Sequence, residues 1–188
     1  MSASAPVVSY ADTFKLHSVP GANRVIYLDF NGETLSGSAW NDQFTSGADF
    51  TAVAFDTDGN AATFSVSEMD LIQGVWQRVA EDYAPFNVDV TTEDPGAAAI
   101  DRAGINDLVF GTRAVITNTT TVYNSCGCGG IAYVGVFDEP SYHAYYQPAL
   151  VFQRGLANSE KNIAEAAAHE VGHTLGLDHD GTASLHFY

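Results

Sequence analysis

Residues 169–180 read HEVGHTLGLDHD and place three histidines, one glutamate and two aspartates within twelve positions. On a helix, His169 and His173 project from one face a single turn apart, close enough for both imidazoles to hold one ion. Zinc takes imidazole nitrogen at about 2.0–2.1 Å, and a catalytic zinc site uses three protein ligands with water in the fourth position. His179 is the third donor at this spacing, and Gly176 supplies the sharp turn that swings the chain back toward the first two. The ion would lower the pKa of its bound water from roughly 15.7 to about 7 and polarise a carbonyl. Glu170, directly beside His169, would take the proton as that water attacks. The chemistry is peptide hydrolysis. A bare H-E-x-x-H arises often by chance, and a lone histidine is more often a surface or hydrogen-bonded residue than a ligand. The longer H-E-x-x-H-x-x-G-x-x-H adds two positions, each with a mechanical purpose.

Such a site needs a helix to carry it and a sheet to anchor that helix. The segment from about Ser159 to Leu177 is Ala-rich, and Gly176 marks a left-handed cap at its end. Ala164, Ala168, Val171 and Leu175 form the stripe expected to face the sheet. Upstream, Ser65 and Glu68 stand in the relation of a capping box. Leu71, Ile72, Val75, Trp76, Val79 and Tyr83 then recur at helical steps, predicting a helix from about Ser67 to Ala84 that Pro85 stops. Five strands are expected: RVIYLDF (24–30), NVDVTT (87–92), RAVITN (113–118), IAYVGVF (131–137) and ALVFQ (149–153). Residues 32–64 read as loop without a helix, and residues 93–106 and PSYHAYYQP as surface excursions. The expected fold is α/β (α+β): a twisted, about five-stranded mixed sheet packed on two long helices, the second carrying the zinc motif. Residues 1–22 read as an irregular N-terminal segment and 23–188 as the catalytic domain.

Composition narrows the partners. Twenty-three acidic against seven basic residues give a net charge of -16, which repels phosphate backbones and anionic lipid headgroups. Nucleic acid and membrane surfaces are therefore not expected partners, and a peptide or protein substrate is. No apolar run approaches the roughly 20 residues of a membrane span, and the first residues lack the basic start and apolar core of a signal peptide. The sequence sets no oligomeric state.

The segment from His169 to Asp180 resembles the zinc-binding signature of the metzincin peptidases, and an aspartate directly after the third histidine is similar to their reprolysin (adamalysin) branch. YLDFNG, WQRVAEDYAPFNVDVTT and GGIAYVGVFD resemble, more loosely, the N-terminal subdomain of bacterial reprolysin-like enzymes. The resemblance implies a secreted, extracellular zinc endopeptidase in which His169, His173 and His179 bind Zn2+ and Glu170 is the general base. It also implies that IAYVGVF is the edge strand above the cleft, where an extended substrate adds as a further strand. The departure lies beyond Asp180. Metzincins carry a methionine turn beneath the zinc, whereas the methionines here are Met1 and Met69. The resemblance thus covers the upper subdomain and the zinc helix, with the expectation of a domain truncated after the motif and weakly active or inactive as it stands.

Three weaker signals remain. DTDGN (56–60) followed by Glu68 offers oxygen ligands suited to calcium. An EF-hand register would need Gly at Ala61 and Glu at Ser67, so a solvated Asx turn is the main expectation and a nonstandard calcium loop the alternative. Cys126 and Cys128 can form a local or intersubdomain disulfide or remain as buried thiols; two thiolates alone cannot complete a zinc shell. His186 is either a stray ligand or an unconstrained residue. The rival to an enzyme is a noncatalytic zinc-binding extracellular module, or an inactive fragment of such an enzyme. Glu170 favours the enzyme, because a purely structural site has no use for a base there.

Overall fold

The computed structural model describes residues 8–182 and 185–187. In chain order the elements are β1 (Arg24–Asp29), β2 (Glu33–Leu35), α1 (Ala39–Thr45), β3 (Phe50–Ala52), α2 (Val66–Asp82), β4 (Asp89–Thr91) and α3 (Ala97–Ile100). There follow β5 (Phe110–Thr117), α4 (Tyr123–Cys126), β6 (Gly130–Ile131), β7 (Ala149–Phe152), α5 (Glu160–Thr174), β8 (Asp180–Thr182) and β9 (Leu185–Phe187).

The main sheet has five strands in the order β4-β1-β5-β7-β6. β1 runs parallel to β4 and β5, β5 parallel to β7, and β6 closes the edge antiparallel to β7. Its strands are Val/Ile-rich because parallel strands are covered on both faces. On one face Ile26, Leu28, Val90, Ala114, Ile116 and Val151 pack against Ile72, Val75 and Val79 of α2 and Ile163, Ala167 and Val171 of α5. On the other, Val115, Leu150 and Phe152 pack on Leu35, Trp40, Ala52 and Val122. The mixed sheet on two long helices is the expected architecture.

The Ser65–Glu68 capping box forms, and α2 stops at Asp82. Its far end is tied to α5 by Tyr83, whose hydroxyl donates to the Ala168 carbonyl at 3.0 Å. Burial raises the Tyr83 phenol well above its ordinary value.

Residues 32–64 correct the expectation of a helix-free loop. β2 and β3 pair antiparallel, and α1 lies between them. The helix starts where the Asn41 Oδ1 accepts from the Ser38 N–H at 2.9 Å and hydroxyl at 2.6 Å, while Asn41 Nδ2 donates to Leu35 O and Ala48 O. Trp40 is buried, its Nε1 donating to Pro148 O at 2.8 Å. Seven residues held by one buried ring and one amide carry too little periodicity to be read as a helix.

The N-terminal segment is more ordered than an irregular tail. Residues Tyr10–Asp12 form a 3-10 turn, and residues 16–18 run along the free edge of β4 through Thr92 N to Leu16 O and Ser18 N to Val90 O, each 3.1 Å. This covers a sheet edge that would otherwise be open. His17 clasps the segment in place, its Nδ1 at 2.6 Å from Asp89 and its Nε2 at 2.9 Å from Glu93. Burial opposes charge on this imidazole, but the hydrogen bonds to Glu93 and Asp89 outweigh it and raise the pKa. At the end of β1, burial pushes the Asp29 carboxyl up to about 6, against Arg113, whose Nε lies 3.9 Å away, and the Asn31 N–H donating at 2.8 Å.

Candidate metal centre

The helix that carries the motif is fixed at both ends. Ser159 caps its start, accepting from Asn162 N at 3.4 Å. At its end Gly176 has φ +94°, a conformation that glycine adopts without strain. Gly176 N donates to His173 O at 2.9 Å and Leu177 N to Gly172 O at 3.0 Å, the paired bonds of a Schellman turn. The face toward the sheet is Ile163, Ala164, Ala167 and Val171. This corrects the expected stripe: Ala168 is only partly buried and Leu175 is 46% exposed, because Leu175 sits in the cap, where the helix phase has ended.

That phase leaves His169 and His173 on the open side, and the turn returns His179 to them. The Nε2 of His179 lies 3.0 Å from that of His169 and 3.2 Å from that of His173. Ligands about 2.0–2.1 Å from a tetrahedral zinc stand about 3.4 Å apart, so His179 lies at nearly the separation from each of the other two nitrogens that the ion requires. The Nδ1 of His173 is 2.7 Å from Leu177 O. A carbonyl can only accept, so Nδ1 carries the proton and the Nε2 lone pair is free to face its neighbours. Burial lowers the pKa of His169, and the two adjacent imidazoles lower it further. Three imidazoles whose Nε2 atoms converge are a donor set that fits zinc.

Glu170 is 5% exposed, and burial pushes its carboxyl up to about 7. It lines the same cleft as the histidines, an open depression of about 990 Å³ bounded by residues 128–132 on one side and by Asn162, Glu165 and Ala166 of α5 on the other. A carboxyl group whose pKa burial moves to about 7, beside a histidine cluster in an open cleft, can act as a base on water.

The edge strand differs from the expectation for IAYVGVF. Only Gly130–Ile131 pairs with β7. The chain then leaves the sheet and docks on the end of α5, where Gly135 N donates to His173 O at 2.9 Å and Phe137 N to Thr174 O at 2.8 Å. Carbonyls of the last helical turn need donors, and this loop provides them. β-propensity alone carried no sign of that competition. Ahead of β6, Cys126 and Cys128 form a disulfide with Cα atoms 5.1 Å apart, and Cys128 lies at the cleft rim.

Residues that the motif did not single out also shape the centre. Leu177 contributes its carbonyl, and Gly130 contributes the absence of a side chain: a Cβ there would lie 2.6 Å from Cγ and Oε1 of Glu170. The Gly129-Gly130 pair was the one available signal in the sequence.

Away from the cleft, oxygens of Asp56, Asp58 and Glu68 lie within 4.8 Å of one another. Asp56 Oδ1 accepts from the N–H groups of Asp58, Gly59 and Asn60 at 3.1, 2.7 and 3.2 Å, the Asx-type turn expected of DTDGN. Glu68 divides its oxygens between Thr57 and Ser65; burial opposes its ionisation, but these hydrogen bonds hold its pKa below the ordinary value. His186 lies in β9 opposite Gly181. Among the described residues, no helix is long and apolar enough to cross a membrane.

Comparison with known proteins agrees with this geometry. The family model described as Metallo-peptidase family M12B Reprolysin-like matches residues 81–180, more than half of the chain, from the end of α2 through the third histidine. No curated protein and no solved structure gives a match. A match of that extent, which takes in strands β4 to β7, helix α5 and the histidine cluster, identifies the chain as a member of the reprolysin-like M12B metallopeptidase family.

Proposed function

We propose that the protein is a zinc-dependent endopeptidase in which His169, His173 and His179 bind the metal through Nε2 and Glu170 is the general base. The observation that carries this reading is the approach of the His179 Nε2 to within 3.0 Å of that of His169 and 3.2 Å of that of His173, with the buried side chain of Glu170 lining the same cleft. Zinc there supplies a Lewis acid that acidifies water and polarises a carbonyl.

The chain's own residues do the rest. His173 is held in one tautomer by Leu177 O, so its Nε2 stays a donor to the metal. Glu170 takes the proton of the attacking water and can pass it to the leaving amine, a transfer favoured when the pKa of the base lies near the working pH. The edge at Gly130–Ile131 offers unpaired backbone groups to an extended peptide, and the cleft wall along Asn162, Glu165 and Ala166 bounds it. The disulfide beside the cleft supports an extracellular setting, where such bonds persist.

The test separates metal from base. With zinc supplied, Glu170→Ala keeps about one zinc per chain and loses peptide hydrolysis by on the order of 10²- to 10⁴-fold, the range for a positioned general base. Casein cleavage and metal analysis read the two quantities. Retained turnover in Glu170→Ala would exclude the mechanism, and equal zinc in wild type and His173→Ala would exclude the ligand set.

A further inference from the structure

We infer that Gly130 is a positioning residue for Glu170: the missing side chain on the edge strand leaves the volume into which the Glu170 carboxylate folds. The inference rests on the reading of Glu170 as the base, and it adds a residue that lies outside the histidine motif.

The geometry is tight on one side and fixed on the other. A Cβ at residue 130 would lie 2.6 Å from Glu170 Cγ, 2.6 Å from Oε1 and 2.9 Å from Cδ, all closer than nonbonded carbon and oxygen atoms can settle. The strand cannot retreat. Gly130 and Ile131 pair with Val151 and Leu150 of β7, and Gly129 O accepts from Phe152 N at 2.8 Å. Gly129 is itself packed, since a Cβ there would lie 2.8 Å from Leu156 Cδ2. The turn that leads into the strand is closed by the Cys126–Cys128 disulfide.

The helix cannot retreat either, because Ala167 and Val171 on either side of Glu170 are fully buried in the core. What gives way to an added methyl group is the rotatable part of Glu170, so its carboxylate moves. Glycine weakens a strand, and its presence in a short edge strand often marks the close approach of another group. Here that group is the glutamate.

A double-mutant cycle of Gly130→Ala and Glu170→Ala tests this, with two readouts. In melting of the metal-free proteins, Gly130→Ala lowers Tm by several degrees when Glu170 is present, as overpacking does. In the Glu170→Ala background, where Cγ, Cδ and Oε1 are gone, the same change has almost no effect. If Gly130→Ala alone does not fold, the double variant folds; a double variant as unstable as Gly130→Ala overturns the inference.

The second readout is hydrolysis of an internally quenched peptide by the zinc-loaded proteins. Gly130→Ala reduces kcat by about 10- to 100-fold, the cost of displacing a catalytic group by about 1 Å, while KM and zinc content hold. A methyl group that merely obstructed peptide at the strand edge would raise KM and spare kcat, and that result refutes positioning. If the wild type cleaves no peptide, the peptidase reading fails together with the role of Gly130 in turnover, while the melting cycle still reports the contact. If the wild type is active and Gly130→Ala has the same kcat, only the positioning of Glu170 by Gly130 fails.

Discussion

Removing one imidazole should abolish the dependence of stability on zinc, and the size of that dependence follows from linkage between binding and folding. The His179 Nε2 stands 3.0 Å from that of His169 and 3.2 Å from that of His173, so metal binding requires little rearrangement of the native fold and finds no such site in the unfolded chain. A ligand bound only by the native state stabilises it by about 4 kcal/mol at a thousandfold excess over Kd. For a domain of this size each kcal/mol moves Tm by about 2–4 °C, so saturating zinc raises Tm by about 8–16 °C. Each further tenfold of free zinc adds about 3–5 °C. His173→Ala removes a donor and also the hydrogen bond that ties Leu177 O to the helix, so its Tm no longer follows zinc. His17→Ala, a substitution at a histidine paired to Asp89 and Glu93, keeps the full response. Thermal melting across a zinc titration, after dialysis against chelator, measures all three proteins. An unchanged slope in His173→Ala, or a lost slope in His17→Ala, would refute the assignment of the cluster.

Three further outcomes follow from the packing and the charges. The raised pKa of His17 means that its clasp on Asp89 and Glu93 contributes fully below the unfolded value of about 6.5 and fades as pH rises through the folded value. His17→Gln removes that pH dependence, measured as urea stability on either side of neutrality. Asp29 behaves in the opposite sense to a paired carboxylate: with its pKa moved from 3.8 to about 6, its ionisation costs stability progressively between those values, by up to about 3 kcal/mol. Asp29→Asn flattens stability against pH in that window; a slope unchanged from wild type would show that Arg113 already compensates the charge. Ile163, fully buried, fastens α5 to the core, and Ile163→Ala costs about 2–5 kcal/mol in chemical denaturation. A loss below about 1 kcal/mol would mean that α5 is held chiefly by other contacts.

Local sequence was sufficient where one element satisfies its own requirements. The spacing of His169, His173 and His179, the capping box of Ser65 and Glu68, and Gly176 at a positive φ all act within a few residues, so their geometry was legible from residue types alone. The parallel strands were legible because burial on both faces selects continuous runs of β-branched residues. Tertiary structure decided the rest. IAYVGVF has strand propensity throughout, yet only Ile131 of those residues stays in the sheet, because the carbonyls of His173 and Thr174 at the helix end claim the N–H groups of Gly135 and Phe137. α1 depends on Asn41 and Trp40 finding partners beyond the helix itself, the latter at Pro148. Leu175 lost its expected place in the core once the cap ended the helical phase. Glu170 was legible as the candidate base from its neighbours in the motif, but its burial against Gly130 brings together residues forty positions apart. Spacing fixes what lies on one helix face; what presses against that face is set by the rest of the chain, and here that determines where the carboxylate sits and how readily it accepts a proton.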